Sequence, residues 1–395
     1  MFLPRRLVSI ALATGLVLAG AGCAKDDKSD SAGAASTLKI GFLGAITGTY
    51  QAVGTDLKNG FELYLKTHDG KLGGHPIDLR IADEGDGAAT AVPAATKLVK
   101  DDKVVAVTGI VGGGSVAAVA DMLNQAKIPL VGSNGRPKLD DLSRVWMTSF
   151  MSSDPGQSIA QYIKEKVNGP VYAIGPDYQG GWDEVGGFTD EFAKIGGQLA
   201  NPGGKTKWTP FPATTNFLPY FNEIKSSGAK AVYTFYAGKA AIDFVKQYKQ
   251  SDVKDIPLYA AFVTEGSILQ AEGDAAKDVF TVCNYSPDLD NEENRKFVAA
   301  WRQAYPDATP TTYAMASYDA AAVLDRAIGA AGANPTSESI NEQIGKLGQI
   351  SSPRGQWQFG AKTHAPVQKW YLRQVRNDGR ALANVLVQDL ATVGS

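Results

Sequence analysis

VVAVTGIVGGGSVAAVADMLNQAKIPLVGSNGRP, residues 104–137, reads as strand, glycine loop, helix, strand, loop. Residues 104–107 are a short apolar run rich in valine, suited to a strand buried on both faces. Gly112, Gly113 and Gly114 follow, and Ser115 stands where a helix begins. Val116, Val119, Ala120 and Leu123 recur at helical spacing. Residues 128–131 form the next strand, closed by Ser133, Asn134 and Gly135. In an open parallel sheet, ligands lie beyond the carboxyl ends of the strands. Glycines let a ligand approach the backbone, and free N–H groups at a helix start favour an anion or a polar oxygen. The stretch therefore predicts half of a small-molecule site. The alternative is a glycine-rich turn that only joins two strands.

The same alternation extends outward. A strand at 38–43, a helix at 54–66, a strand at 77–82 and a helix at 90–100 precede the stretch, with Pro93 in the first turn of the last. After a break at Ser152, Ser153, Asp154 and Pro155 the pattern restarts. Helices are expected at 158–166, 186–195, 216–226, 239–250, 291–305 and 313–329. Strands are expected at 170–175, 231–236, 258–262, 279–285, 356–359 and 370–375. Two such arrays predict an α/β protein of two lobes.

A net charge of −2 is spread along 395 residues, with no polybasic block of the kind that binds nucleic acid. Arg5 and Arg6 precede an apolar run at 7–20, too short for a comfortable membrane span. That run ends in LAGAGC, so residues 1–22 resemble a bacterial lipoprotein signal and Cys23 the lipidated residue. Gly20 stands where the usual pattern has a larger apolar residue, and a plain secretory signal is the alternative. Residues 23–37 read as a flexible tether between membrane and domain. Cys283 is the only other cysteine, which excludes a disulfide framework.

Seven motifs in order resemble the type I periplasmic-binding-protein family, specifically the branched-chain amino acid (Leu/Ile/Val-type) substrate-binding lipoproteins of ABC importers. They are IGFLGAITGTYQAVGTDLKNGFELYL (40–65), VTGIVGGGSVAAVADMLNQAKIPLVGS (107–133), GPDYQGGWDE (175–184), AVYTFYAGKAAIDFVKQY (231–248), NYSPDLDNEENRKFVAAWRQAYP (284–306), YAMASYDAA (313–321) and SPRGQWQFGAKTHAPVQKWYLRQV (352–375). The resemblance implies two Rossmann-like lobes joined by a three-crossing hinge. Residues 38–152 and 283–353 would form lobe 1, and 153–282 and 354–395 lobe 2. It further implies a ligand held between the lobes, hinge closure, an ABC permease as partner, an extracytoplasmic location, a monomer, no cofactor and no enzymatic activity.

Site residues carry over by motif. The first loop's aromatic gate matches Val53, with Tyr50 as the nearby substitute. The loop after the third strand matches Val111, Gly112, Gly113, Gly114 and Ser115. The next loop matches Ser133, Asn134 and Gly135. Aromatic walls match Tyr178, Trp182, Tyr236 and Tyr313, and Tyr285 is either a wall or a hinge-packing residue. Amino-acid binders of the family place a glutamate where Phe262 falls here. Glu265 takes that role only if the loop shifts. An unpaired ammonium in a closed cleft costs several kcal/mol. Together with NYSPDLDNEENRKFV and SPRGQWQF, which resemble aromatic-acid binders, this favours an aromatic or hydrophobic carboxylate. The alternatives are a branched-chain or aromatic amino acid, or a ligand-sensing receptor domain.

Other chemistry is thinner. GIVGGGS is not a dinucleotide GxGxxG, and His68, His75 and His364 have no metal spacing. Asp83, Glu84 and Asp86 read as a helix-capping turn, and Arg136 as a solvated side chain or a partner for a ligand carboxylate. The lipoprotein reading makes its own prediction. Cys23→Ala should release the protein to the medium or leave it unprocessed, and detergent partitioning that matches the wild type would overturn it.

Overall fold

The computed structural model describes residues 35–395. The signal segment, Cys23 and the tether up to residue 34 lie outside the described residues. The first half of the chain runs β1 (Leu38–Gly44), α1 (Gln51–Thr67), β2 (Lys71–Leu72), β3 (His75–Asp83), α2 (Ala88–Lys97), β4 (Ala106–Gly109), α3 (Gly113–Ala126), β5 (Leu130–Gly132) and β6 (Val145–Met147). These strands make a six-stranded sheet in the order β2-β3-β1-β4-β5-β6, parallel except for β2 at its edge. Strand β1 shows why a parallel strand reads as a continuous apolar run. Ile40 and Phe42 face Leu57 and Phe61 of α1, while Leu43 faces Ala95 of α2 and Val116 of α3.

The chain continues as α4 (Asp154–Lys166), β7 (Val171–Pro176), α5 (Gln179–Lys194), β8 (Lys207–Thr209), α6 (Leu218–Ser227), β9 (Ala231–Phe235), α7 (Gly238–Gln250), β10 (Leu258–Ala261), α8 (Ser267–Glu272) and β11 (Phe280–Cys283). Then come α9 (Glu292–Ala304), α10 (Thr312–Ala331), α11 (Ser337–Ile344), β12 (Ile350–Ser352), β13 (Gly355–Phe359), β14 (Pro366–Asn377) and β15 (Leu382–Val393). The second sheet is nine-stranded, with β8, β7, β9, β10 and β11 parallel. The antiparallel β14 closes it against β11 and pairs with β15. Helix α10 returns to the first sheet, where Ala320, Val323, Leu324 and Ala327 join the core around α1. The fold is thus α/β with two lobes, each built on its own sheet.

Several local features differ from expectation, three of them for a clear physical reason. Helix α5 begins at Gln179 rather than at 186, because the GG pairs at 180–181 and 186–187 sit inside it. Pro93 lies in the middle of α2, not its first turn, because the helix already starts at Ala88. The sequence does not mark strand β15, whose residues are mostly half-buried or exposed and show no apolar alternation.

The chain passes between lobes after β6, after β11 and between β12 and β14. One buried side chain ties these passages together. Arg354 donates to the Thr148 and Ser149 carbonyls of the first, to Gln368 Oε1 in β14, and to Asp319 Oδ2 of α10. Asn284, on the second passage, donates to the Ser149 carbonyl at 3.2 Å and accepts from Thr312 at 2.6 Å. Burial pulls the Arg354 pKa down and pushes the Asp319 carboxyl up, and their mutual attraction opposes both shifts. Removing one partner of a buried pair strands the other charge. Arg354→Ala should therefore cost roughly 3–5 kcal/mol in a urea titration, and a loss under about 1 kcal/mol, the surface-pair range, would contradict this account.

Candidate ligand-binding site

The two sheets present the carboxyl ends of their parallel strands to one cleft. From the first lobe come Tyr50 and Val53 after β1, Val111, Gly112 and Gly113 after β4, and Asn134 and Gly135 after β5. Phe150 and Ser152 follow on the first passage. From the second come Tyr178, Gln179, Gly180, Asp183 and Glu184 after β7, Phe235 and Ala237 after β9, and Phe262 after β10. Tyr313, in the first turn of α10, completes the lining. Helices α3 and α5 touch across the cleft. A β-carbon on Gly238 would lie 3.3 Å from the Thr49 carbonyl, so the lobes are closed.

Aromatic rings dominate the walls. Phe150 stacks on Phe262 with centroids 4.8 Å apart and planes 16° from parallel. Tyr313 stands 6.2 Å from Phe262, and Tyr178 stacks on Phe211 at 4.4 Å. Phe262 is held at a positive φ of 58°, a conformation that costs a bulky residue energy. Its loop is fixed from behind by the buried ion pair of Glu265 with Arg373. Gly135 makes room for the wall, since a β-carbon there would stand 2.5 Å from the Phe150 ring.

The polar side of the cleft departs from expectation. The Val111 and Gly112 N–H groups donate to Glu84 at 2.7 and 2.8 Å, so an internal carboxylate holds these amides. Burial raises the Glu84 pKa against the pull of both amides. The acidic cluster is therefore no cap for α2, whose N-cap is Gly87. Instead Asp83 and Asp86 accept from the N–H groups of Ile46, Thr47 and Thr49 and fasten the loop after β1. Among the described residues, no lysine, arginine or histidine lines the cleft, but Asp183 and Glu184 do. The expectation that the cleft lacks an acid able to meet an ammonium is thereby corrected: Glu265 is engaged elsewhere, but α5 supplies two carboxyls. Arg136 is buried rather than solvated, donating to the Pro137 and Thr363 carbonyls away from the lining.

Of the residues singled out in the sequence, Tyr50, Val53, Val111, Gly112, Gly113, Asn134, Gly135, Tyr178, Phe262 and Tyr313 come together here. Six do not. Trp182 is 46% exposed and its indole N–H donates to Asp177. Tyr236 packs between Phe217 and Phe244, with its hydroxyl 3.0 Å from Thr209. Tyr285 donates to Asn294 and packs on Phe297, which makes it a hinge-packing residue. Ser115 is buried beside Glu84, Ser133 is buried against Ser317, and Gly114 stays outside the lining.

Phe150, Asp183, Glu184 and Phe235 were missed. The signal for three of them is periodicity. With α5 starting at Gln179, residues 180, 183 and 184 share one helical face and Trp182 points off it. Along β9, neighbouring side chains face opposite sides, so Phe235 meets the cleft and Tyr236 the core behind.

Residues 37–380 match the family model described as periplasmic binding protein. The chain belongs to the periplasmic binding protein family. It is 28% identical over 355 residues to the Leu/Ile/Val-binding protein homolog 6 of Brucella melitensis, covering 87% of this chain and 89% of that one. A solute-binding protein of an ABC transporter from R. palustris, solved in complex with benzoate, superposes with a TM-score of 0.78 at 29% identity, covering 89% of this chain and 98% of that one. Another, from Rhodopseudomonas palustris HaA2 in complex with p-hydroxybenzoic acid, gives 0.80 at 26% identity, covering 90% and 97%. A periplasmic binding protein of this kind works outside the cytoplasm as the ligand-capturing partner of an ABC importer, not as an enzyme. Among the described residues, no helix is long and apolar enough to cross a membrane.

The wall geometry of this periplasmic binding protein makes a paired prediction. Gly135→Ala forces the Phe150 ring to move and should cost about 1–3 kcal/mol of stability. Gly114→Ala, whose β-carbon meets nothing within 4 Å, should be neutral or stabilising. Urea titration of both variants checks the contrast.

Proposed function

We propose that this protein captures a small aromatic carboxylate between its two lobes and presents it, closed, to an ABC permease. The observation that carries the reading is the set of six aromatic side chains lining one closed cleft: Tyr50, Phe150, Tyr178, Phe235, Phe262 and Tyr313. A flat ring slides between such walls, each aromatic pair adding about 0.5–1.5 kcal/mol beyond burial. The carboxylate is met by the Gly113 N–H at the start of α3, which Glu84 leaves free, and by the phenol of Tyr50 or Tyr178. The benzoate and p-hydroxybenzoic acid complexes of the two R. palustris relatives support this ligand class. Lobe boundaries at 38–152 with 283–353, and 153–282 with 354–395, a lipid anchor at Cys23 and a monomeric state complete the proposal.

A second reading is an amino acid, aromatic or branched-chain. Asp183 and Glu184 in the lining favour it, as they are placed to face an ammonium. Calorimetric titration with phenylpropanoate and phenylalanine separates the two readings, because the ligands differ only by the amino group. The aromatic-acid reading expects phenylpropanoate to bind more tightly, and tighter phenylalanine binding would replace it with the second. Phe262→Ala should weaken the aromatic acid by roughly tenfold, whereas Trp182→Ala should leave it unchanged.

A further inference from the structure

Glu184 is the one lining carboxyl that is deeply buried, at 4% exposure, with an oxygen that has no partner. No cation faces it. Its own helix carries Asp183 next to it, and the other groups close enough to act on its charge are Asp154 of α4 and the phenols of Tyr178, Tyr233 and Tyr313, from the loop after β7, from β9 and from α10. Arg136 acts on Asp154 and spends its hydrogen bonds on backbone carbonyls. The Tyr233 hydroxyl is likewise buried without a partner. Charged, Glu184 would repel a ligand carboxylate in a closed cleft without a counter-ion. Neutral, it offers an O–H to that carboxylate, and acid-to-carboxylate hydrogen bonds are among the strong ones.

On the reading that the ligand is a carboxylate, we propose that Glu184 binds it as a neutral acid, so that one ligand anion and one proton are taken up together on closure. The proton comes from solvent to the ionised Glu184 of the open form, and no covalent bond changes. Burial, with the neighbouring Asp183 and Asp154, holds the carboxyl well above its ordinary range, in keeping with this state. The sign follows by linkage. While Glu184 of the open form is already protonated, affinity does not depend on pH. Above that point, each pH unit lowers affinity by up to about tenfold. An ammonium ligand paired with an ionised Glu184 would give no such loss.

The test is calorimetric titration of the full chain with benzoate from about pH 5.5 to 8.5, in buffers of low and high ionisation heat. The wild type should bind more weakly as pH rises and take up close to one proton per benzoate at high pH. Glu184→Gln keeps an N–H donor and cannot ionise, so its affinity should be flat with pH and exceed the wild type at the alkaline end. Asp183→Asn should keep the wild-type slope. Benzoate binding that is independent of pH, without proton uptake, overturns this inference and leaves the aromatic-carboxylate reading standing. A slope that survives in Glu184→Gln or vanishes in Asp183→Asn overturns the assignment to Glu184. Failure of both wild type and Glu184→Gln to bind benzoate at any pH overturns the carboxylate reading and this inference with it.

Discussion

The guanidinium of Arg354 is the constraint on which the arrangement of the two lobes depends. It reaches the first interlobe passage at Thr148 and Ser149, the third at Gln368, and Asp319 of the helix that carries the chain back to the first sheet. Asn284 brings the second passage to the same carbonyl of Ser149. Arginine suits the position because its fork holds several acceptors at fixed angles and stays charged when buried. Its planar face also lies 4.9 Å from the Trp357 ring. Three passages fastened at one point leave the lobes a rotation about that point as the natural large motion, which is the geometry hinge closure needs.

Closure then decides the chemistry of the cleft. With the lobes together, carboxyls that water would solvate in an open cleft are buried, and burial favours their neutral forms. Asp56 shows the same effect away from the aromatic walls. It sits on α1, accepts from Thr311, stands beside Gly266 of the opposite lobe, and its pKa is pushed up to about 7 by burial. On the proposed carboxylate reading, the cleft formed by the described residues would recognise charge without a cation, with amide dipoles, phenols and neutral acids in its place. The aromatic walls supply most of the apolar contact, and the Glu265–Arg373 pair holds the loop that presents Phe262.

Much of this was legible in the chain. The alternation of apolar strands with amphipathic helices fixed the fold class, because periods of two and 3.6 residues are local properties. The glycine loop at 112–114 marked a strand end facing a cleft. Asn134, Gly135, Tyr178 and Phe262 lie where motif order placed them. The errors have a common cause. Trp182 and Tyr236 are conspicuous side chains one step from the lining or on another face, and side-chain direction depends on where the helix or strand begins.

The sequence by itself determined the α/β class, the two arrays and the family, since these rest on residue type and spacing within short windows. Tertiary structure alone decided what those residues do to one another. Glu84 takes the amides that a ligand was expected to use, 27 and 28 positions along the chain. Arg354 finds Ser149 across 205 positions. Glu184 is buried on α5, the helix that touches α3 of the other lobe. Charge state and hydrogen-bond partnership follow from burial and distance, and neither is a local property of the chain.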